Sequence, residues 1–527
     1  MNKPQLISDF LERALQLYRD KEGIVCGSQR YTYAQFGERV YRLANALATY
    51  NIAKGDRVAL LSPNCHRFLE ALFGVPAIGA ILVPLNYRLV ASDFIYIVNH
   101  AGAQVFLVDE ELVPTVDDIR DQLPGVRLFV QLGGTARAGW LSYEELLESA
   151  SPARPADPRL EDNDLATLNY TSGTTARPKG VMMTHKNLYT NVMNTIAHLG
   201  VTEEDVLLHT LPTFHANGWG TPFTATGLGM KQVVLRKIDG DAIYRLISEE
   251  GVTWACMAPA VLSTILNFPE KTKYPIKTRP RFIVAGAPPP AAFIKRLREE
   301  LGWEFTQVYG LTETAPFLTV CTLRSDMKKL PPDEQYQIMA RAGVPMLGVD
   351  LRVVDQHGND VAPDDQQIGE VVARGNVIMK GYWRQPEETD KCIVDGWFHT
   401  GDLATINKDG YINIVDRAKD VIISGGENIS SIEVEDVLYK HPAVLECAVI
   451  GVPSEKWGET PKALIVPRPG TQPTAEEIIA FCRANMAHFK VPTSVEFVES
   501  LPRTATGKLQ KYILREKYWQ GVARRVN

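Results

Sequence analysis

The sequence predicts an α/β fold, with a large multi-subdomain amino-terminal part built on mostly parallel sheets and a small α+β unit at the carboxyl end. Short apolar runs alternate with stretches of helical spacing over most of the chain, and such alternation predicts parallel strands covered by helices. Between residues 362 and 411 the runs are short and separated by glycines, which indicates an antiparallel β subdomain. Beyond residue 416 the order of strands and helices changes, so we expect a separate unit there.

The predicted elements follow these patterns along the chain. After an amphipathic helix at 8–18, the first series has helices at 35–50 and 66–79 and strands at 57–62, 81–85, 104–109 and 128–132. A Pro-, Ala- and Asp-rich segment at 149–164 predicts a linker between subdomains. The second series has a helix that starts near Lys186 and strands at 165–170, 206–211, 232–235, 252–257, 282–285 and 304–309. The carboxyl-terminal unit is expected to hold helices at 431–441 and 474–487 and strands at 445–452, 463–466 and near Val495.

Composition argues against several classes of protein. The 527 residues carry a net charge of −6, so a general affinity for nucleic acid is not expected. The longest apolar run, 71–85, is short for a membrane span and contains two prolines, so no integral membrane segment is expected. The seven cysteines are scattered and form no CxxC pair, which favours reduced thiols in a cytoplasmic protein over a disulfide framework or a zinc site.

The segment 171–180 is a candidate phosphate-binding loop. It follows an apolar strand pattern and combines glycines, hydroxyl groups and one lysine, a composition that offers backbone N–H groups and side-chain donors to an anion. It is not a Walker A loop, because the lysine precedes the second glycine and no Ser or Thr follows that lysine. The candidate phosphate contacts are Thr171, Ser172, Gly173, Thr174, Thr175 and Lys179.

Five further segments offer groups suited to a nucleotide. They are 307–314 with Tyr309 and Glu313, 396–402 with Asp402, 416–420 with Arg417, 424–428 with a Gly-Gly pair, and 502–508 with Lys508. An aromatic face can stack on a base, and a carboxylate near phosphates can hold Mg²⁺. Each segment alone is typical of an ordinary turn or of core packing. The occurrence of all of them in this order and spacing is specific.

With these six segments the chain resembles the adenylate-forming acyl-CoA synthetases, a family that includes luciferase-like enzymes and peptide-synthetase adenylation domains. The resemblance covers nearly the whole chain. It implies an adenylation domain at 1–416, a hinge at 417–419 centred on Lys419, and a mobile domain at 420–527 that carries the catalytic lysine. It also implies that ATP, Mg²⁺ and coenzyme A take part in the reaction.

The resemblance assigns roles residue by residue. Lys508, Glu313 and Thr171 would be catalytic, with Glu313 holding Mg²⁺, and Gly425 and Gly426 would border the coenzyme A tunnel. The implied ATP and AMP contacts are Thr171, Ser172, Gly173, Thr174, Thr175, Lys179, Gly286, Ala287, Gln307, Tyr309, Gly310, Thr312, Asp402, Arg417 and Lys508.

The acid is expected to be a short- or medium-chain fatty acid or an aromatic acid. The implied pocket residues are His215, Trp219, Ala285, Gly286, Thr314 and Ala315. Segment 214–219 holds no carboxylate, which disfavours amino acids because a buried ammonium without a partner is costly. Two alternatives stay open: an acyl-AMP ligase that loads a separate carrier protein, and a non-catalytic nucleotide-binding regulator. A homodimer is a further expectation.

Overall fold

The computed structural model describes residues 3–171, 177–287, 289–417, 420–424, 427–454, 456–504 and 509–520. Four sheets organise these residues. No helix in the described ranges is long and apolar enough to cross a membrane.

The first 164 residues alternate between strands and helices, as the sequence predicts. The strands are β1 Glu22–Cys26, β2 Gln29–Thr32, β3 Arg57–Leu61, β4 Ile81–Leu85, β5 Val105–Asp109, β6 Leu128–Leu132 and β7 Leu141–Ser142. The helices are α1 Ser8–Leu17, α2 Tyr33–Thr49, α3 His66–Ala77, α4 Ala91–Ala101, α5 Val113–Asp117 and α6 Tyr143–Glu148. The apolar run 71–85 is divided between α3 and β4, so its two prolines lie in separate elements. The predicted linker at 149–164 contains no helix or strand.

The next segment repeats the alternation. Its strands are β8 Leu165–Thr171, β9 Lys179–Thr184, β10 Val206–His209, β11 Lys231–Val234, β12 Trp254–Met257, β13 Arg281–Val284, β14 Glu304–Tyr309, β15 Thr319–Cys321 and β16 Val344–Pro345. Its helical elements are α7 His185–Leu199, α8 Ala216–Trp219, α9 Thr221–Leu228, α10 Gly240–Glu250, α11 Pro259–Asn267, α12 Ala291–Glu300 and α13 Pro332–Met339.

Two large sheets result, and their strand order differs from the order in the chain. The first sheet runs β7-β6-β5-β3-β4-β8-β9-β19, where β19 is Gly381–Tyr382. The second runs β16-β15-β14-β13-β12-β10-β11-β1-β2. Strand β1 pairs in parallel with β11, with Ile24 opposite Gln232, so the amino-terminal hairpin completes a sheet formed by residues about 200 positions later. Both sheets are mostly parallel, as predicted.

The remaining sheets are smaller and mostly antiparallel. The third contains β17 Val349–Val354, β18 Gly369–Gly375, β20 Ile393–Val394, β21 Trp397–Ile406 and β22 Ile412–Arg417, with helix α14 Pro386–Cys392 beside it. The fourth contains β23 Ile422–Ser424, β24 Glu427–Ile429, β25 Val444–Ser454, β26 Gly458–Pro467 and β27 Ser494–Phe497, with helices α15 Ser431–Leu438, α16 Ala475–Asn485 and α17 Lys511–Trp519. The predicted antiparallel subdomain is therefore present, and it begins near Val349 rather than at 362.

Strand β9 differs from the sequence expectation of a loop followed directly by a helix. It pairs antiparallel with β8, so the segment between them closes a hairpin. Val181 and Met183 are fully buried, and because side chains two positions apart lie on the same side of a strand, Lys179–Thr184 has one face in the core. Helix α7 then begins at His185, where Thr184 and Asn187 form a reciprocal capping box.

Candidate active site

The β8–β9 hairpin places Thr171 directly opposite Lys179. These two residues therefore frame the segment that the sequence predicts to bind phosphate. Ser172, Gly173, Thr174 and Thr175 lie outside the described residues.

Lys179 forms an ion pair with a helix that the sequence analysis did not single out. Its Nζ lies 2.5 Å from Oε2 of Glu388 on α14 and 4.9 Å from the ring centre of Tyr382. The other carboxylate oxygen of Glu388 lies 2.6 Å from Lys391 Nζ. The hydrogen bond from Lys179, with help from Lys391, lowers the pKa of Glu388 to about 2, so Glu388 is a carboxylate at neutral pH.

Tyr382 connects Lys179 to Glu313. Its hydroxyl donates to Glu313 Oε1 over 3.0 Å, while strand β19 holds Tyr382 opposite Val181 of β9. The backbone of Glu313 is fixed as well, since its carbonyl accepts from the Met379 N–H at 2.8 Å. Burial, followed by the charge of Glu313, raises the pKa of Tyr382 above its ordinary value. Tyr382 therefore remains a neutral donor to the carboxylate.

The carboxylate of Glu313 suits a magnesium ion bound together with phosphates. Within the described ranges Tyr382 is the hydrogen-bond donor to its side chain, through Oε1, which leaves lone pairs on Oε2. No group of three or more His, Cys, Asp and Glu side chains in those ranges forms a complete metal cage. Magnesium usually needs only one or two protein carboxylates when phosphates and water supply its other oxygens, so this single carboxylate fits.

Tyr309, Asp402 and Arg417 come together at the junction of the second and third sheets. The Tyr309 hydroxyl donates to Asp402 Oδ2 over 2.9 Å, and Arg417 Nε lies 3.3 Å from Asp402 Oδ1. Asp402 on β21 is directly opposite Arg417 on β22 and is 5% exposed. Burial, followed by the neighbouring carboxylate, raises the pKa of Tyr309 well above its ordinary value. The three residues thus combine an aromatic ring, a carboxylate and a guanidinium.

The turn after β14 brings the backbone very close to itself. A Cβ atom on Gly310 would lie 1.7 Å from the Pro316 carbonyl oxygen, so only glycine fits there. Buried Thr314 closes the turn, because its hydroxyl donates to the Pro316 carbonyl at 2.6 Å and accepts from the Leu311 N–H at 2.9 Å. This turn also contains Thr312, which is buried, and Ala315, which is fully buried.

Gln307 has a buried acceptor on the strand that leads to Tyr309. Its side chain is 4% exposed, and its Oε1 has no hydrogen-bond partner among the described residues. Buried polar groups are normally paired, so this oxygen can receive an N–H group from a ligand. On the neighbouring strand β13, buried Ala285 leads into Gly286 and Ala287, which are both exposed, and Gly286 has a φ of 93°.

The segment 216–220, which contains the predicted pocket residue Trp219, forms a left-handed turn. Ala216, Asn217, Gly218, Trp219 and Gly220 have φ angles of 38°, 48°, 57°, 58° and 75°. Each non-glycine residue in this conformation costs roughly 1–2 kcal/mol, so the surrounding contacts must hold the turn in place.

Contacts from three elements hold this turn. The Asn217 amide donates to Thr167 Oγ1 over 2.9 Å, and buried Trp219 packs edge-on against Phe317 with ring centres 6.0 Å apart. Asn191 of α7 donates to the Trp219 carbonyl at 3.4 Å. His215, at the start of the turn, is half-buried. The wall near Trp219 is therefore aromatic and closely packed.

Four other predicted residues lie outside the described residues: Lys419, Gly425, Gly426 and Lys508. The segments beside them are well anchored. Lys511 Nζ lies 2.8 Å from Glu435 Oε1, and Arg515 Nη1 lies 2.6 Å from Asp420 Oδ1. Helix α17, which follows the segment of the predicted catalytic lysine, therefore contacts both α15 and the residue after the predicted hinge.

Tyr382 and Glu388 were not predicted as site residues from the sequence. The triplet Gly381-Tyr382-Trp383 offered a signal for the first, because it combines a glycine with two aromatics after a strand pattern. Glu388 had no such signal, since it lies 209 positions from Lys179 in a charged helix.

Comparisons with known proteins agree with the geometry. The model of the AMP-binding enzymes matches residues 11–383, and that of the AMP-binding enzyme C-terminal domain matches 433–508. The 4-hydroxybutyrate–CoA ligase 2 of Metallosphaera sedula is 40% identical over 515 residues, which are 96% of this chain and 93% of the relative. The 2-methylpropanoate–CoA ligase CCL4 of Humulus lupulus is 39% identical over 524 residues, which are 96% and 94% of the two chains. The crystal structure of the anthranilate CoA ligase AuaEII in complex with anthranoyl-AMP matches with a TM-score of 0.90, 28% identity and 98% coverage of both chains.

Proposed function

The chain belongs to the AMP-binding enzymes, the adenylate-forming acyl-CoA synthetases, and from this premise we propose that it activates a short- to medium-chain or aromatic carboxylic acid. It is an ATP-dependent acid–CoA ligase, which forms an acyl-adenylate and pyrophosphate and then transfers the acyl group to coenzyme A. Magnesium accompanies ATP in this reaction. The observation that supports nucleotide binding most directly is the contact of Tyr309 and Arg417 with the same carboxylate, Asp402.

We assign the adenosine site to these three residues. Asp402 has lone pairs to spare after its two contacts, so it can accept hydrogen bonds from ribose hydroxyls. The Tyr309 ring would stack on adenine, and Arg417 would contact ribose or phosphate. The remaining nucleotide contacts in this proposal are Gly286, Ala287, Gln307, Gly310 and Thr312.

We assign the phosphate site to the β8–β9 hairpin. Thr171 and Lys179 frame it, and Glu313 would hold magnesium, which when bound offsets the charge of the phosphates. Ser172, Gly173, Thr174 and Thr175 supply the other donors in this proposal. Lys508 would stabilise the charge that grows on the reacting oxygens.

We propose that a carboxyl-terminal domain moves between the two half-reactions. The domain would span 420–527, the adenylation domain 1–416, and the hinge 417–419 with Lys419 at its centre. In the second half-reaction Lys508 withdraws, and Gly425 and Gly426 border the path of the coenzyme A thiol. The strong anchoring of α17 to α15 and to Asp420 supports movement of this unit as one body.

The proposed class of acid rests on the pocket and on the relatives. Trp219 and Phe317 form a packed aromatic wall, and no carboxylate in 214–219 is available to pair a substrate amine. His215, Ala285, Gly286, Thr314 and Ala315 complete the proposed lining. The two relatives act on 4-hydroxybutyrate and 2-methylpropanoate, which are both short acids, and the solved neighbour holds an aromatic acyl-adenylate.

The two alternative functions are not favoured. The relatives named above are coenzyme A ligases rather than carrier-loading enzymes, and the site retains Glu313 and Asp402, which a silent regulator would not need.

We further propose a cytoplasmic location, because all seven cysteines are free thiols. A homodimer stays a prediction, which light scattering on the purified chain would test.

The proposed function is tested by product analysis over a graded set of acids. The purified chain is incubated with MgATP, coenzyme A and butanoate, 4-hydroxybutyrate, 2-methylpropanoate, hexanoate, dodecanoate, benzoate or anthranilate. We expect AMP, pyrophosphate and a thioester from the short or aromatic acids. ADP in place of AMP would contradict the reaction, and a clear preference for dodecanoate would contradict the proposed class of acid.

A further inference from the structure

The ion pair between Lys179 and Glu388 occupies the phosphate-binding side of the site. The two side chains are 20% and 30% exposed, and their charged atoms lie 2.5 Å apart. Solvent screens such a partly buried pair less than it screens a pair on the open surface. Lys179 therefore has a preferred carboxylate partner before any nucleotide arrives.

A triphosphate needs the same ammonium. Glu388 opposes the binding of phosphate, because its carboxylate competes for the ammonium of Lys179. A phosphate that binds Lys179 has to share or take over its contact with Glu388, and departure of pyrophosphate leaves the ammonium to Glu388 again. The chain thus contains an internal anion where a phosphate has to bind.

We propose that Glu388 acts as a built-in competitor for Lys179, which weakens the binding of ATP and pyrophosphate and thereby speeds the release of pyrophosphate. This inference rests on the proposed function, because it takes Lys179 as a phosphate ligand. Glu388 has no contact with the reacting atoms in this account, so it is a positioning residue rather than a catalytic one.

Lys391 binds the other carboxylate oxygen of Glu388 and so reduces its attraction for Lys179. Its Nζ lies 2.6 Å from Glu388 Oε1, and its side chain is 70% exposed. When a phosphate takes Lys179, Lys391 still balances the charge of Glu388. Removal of the Lys391 charge should therefore strengthen the hold of Glu388 on Lys179 and weaken nucleotide binding.

Calorimetric titration of the full chain with MgATP in the absence of acid tests the proposal, together with product inhibition by pyrophosphate. We expect Glu388→Gln to tighten both interactions about two- to fivefold, because the substitution removes the charge that competes for Lys179. Lys391→Met should weaken both by a similar factor. Glu387→Gln is the matched control, because Glu387 is exposed in the same helix, and it should leave both values unchanged.

A double-mutant cycle identifies the route of the effect. In a Lys179→Met background, Glu388→Gln should change MgATP binding by less than 1.5-fold. The proposal would be overturned if Glu388→Gln tightened MgATP binding equally in the Lys179→Met background. It would also be overturned if Glu388→Gln alone left MgATP and pyrophosphate binding unchanged. If the parent chain makes AMP while Glu388→Gln alters neither affinity, this inference fails and the ligase function stands; if the parent makes no AMP, the ligase function itself fails.

Discussion

Asp402 is held from two sides, by the Tyr309 hydroxyl and by the Arg417 guanidinium. A carboxylate fixed in this way is already oriented before a ligand arrives, so little conformational entropy is lost when hydroxyl groups bind to it. The same contacts make its charge hard to replace, because a neutral side chain would leave Arg417 without its partner.

The first prediction concerns this charge. Asp402→Asn should raise the KM for ATP by about 10- to 100-fold, because hydrogen bonds to a charged group contribute roughly 1.5–3 kcal/mol. The KM for the acid should change little. Pyrophosphate release at varied ATP concentration measures the effect. Asp409→Asn is the control, since Asp409 is half-exposed and pairs with Arg324 away from the site; equal effects of the two substitutions would contradict the assignment.

A second prediction follows from the tight turn at Gly310. Gly310→Ala should lower the temperature of thermal unfolding by several degrees, because the added Cβ would lie 1.7 Å from a backbone carbonyl and overpacking costs about 1–3 kcal/mol. Pyrophosphate release should fall as well, since the turn positions Glu313. Gly125→Ala provides the control, because its nearest neighbour would lie at 3.6 Å. An unfolding temperature unchanged from the parent at equal scan rate would show that the turn can relax.

The residues of the proposed adenosine site could be predicted from the sequence, but Tyr382 and Glu388 were not. Tyr309, Asp402 and Arg417 each follow a recognisable strand or glycine pattern, and the structure brings them together. Glu388 reaches Lys179 only because β19 joins the first sheet beside β9. That pairing is a tertiary event with no local signal in the sequence, so composition and spacing could not reveal it.

At the scale of elements, helix α7 fixes the segment before β19. The Asn187 side chain closes the capping box at the start of α7 and also donates to the carbonyls of Asn376 at 2.7 Å and Ile378 at 2.9 Å. One amide thus ties the start of a helix to the strand segment that carries Tyr382, and through Tyr382 to Glu313.

A third prediction tests this connection. Asn187→Ala leaves the part-buried carbonyls of Asn376 and Ile378 without this donor, and loss of such a hydrogen bond costs about 0.5–1.5 kcal/mol. Hydrogen exchange should therefore become faster in residues 376–383, with only a small change in the carboxyl-terminal unit. Asn485→Ala removes an exposed hydrogen bond from a side-chain amide within α16. This control should not alter exchange in residues 376–383. Parent-like protection of 376–383 would mean that other contacts hold the segment.

Apolar strands that are bounded by turns could be predicted to within about two residues, as β3 and β14 illustrate. Strand β9 was missed because Lys179 and Gly180 at its start resemble a loop. The left-handed turn at 216–220 could not have been foreseen either, since Ala216 and Trp219 do not favour positive φ. Packing against Phe317 and Thr167 decides that conformation.

Described residues of the carboxyl-terminal unit contact the large amino-terminal part of the molecule. Tyr439 packs edge-on against Phe293 with ring centres 5.6 Å apart, and Arg468 donates to Asn267 over 3.3 Å. Interfaces of this mixed polar and aromatic kind are typical of domains that move relative to one another, which supports the proposed movement of the carboxyl-terminal unit.

A fourth prediction separates the two half-reactions. Lys508→Ala should lower acid-dependent pyrophosphate release by about 10²–10³, the usual loss when one preorganised charge is removed. It should still convert preformed acyl-adenylate and coenzyme A to the thioester. Assays of the two steps with the same preparation measure this contrast, and an equal loss in both would contradict the role of Lys508.

The fifth prediction concerns a substitution that should impair the second half-reaction and spare the first. Gly425→Leu should leave pyrophosphate release close to that of the parent but slow thioester formation from acyl-adenylate, because a large side chain would narrow the proposed path of the thiol. The same two assays apply. Thioester formation at the parental rate would remove Gly425 from the tunnel.

The pairing of β1 with β11 has a consequence for synthesis of the chain. The ribosome makes residues 22–26 about 200 positions before their partner 231–234, and contacts across such separations form slowly because a long loop must close first. During synthesis one edge of the β1–β2 hairpin therefore stays unpaired until its partner strand β11 has left the ribosome. A fragment that starts at residue 151 would lack the β1–β2 hairpin. The unpaired edge of β11 would then be open to pairing with strands of other copies.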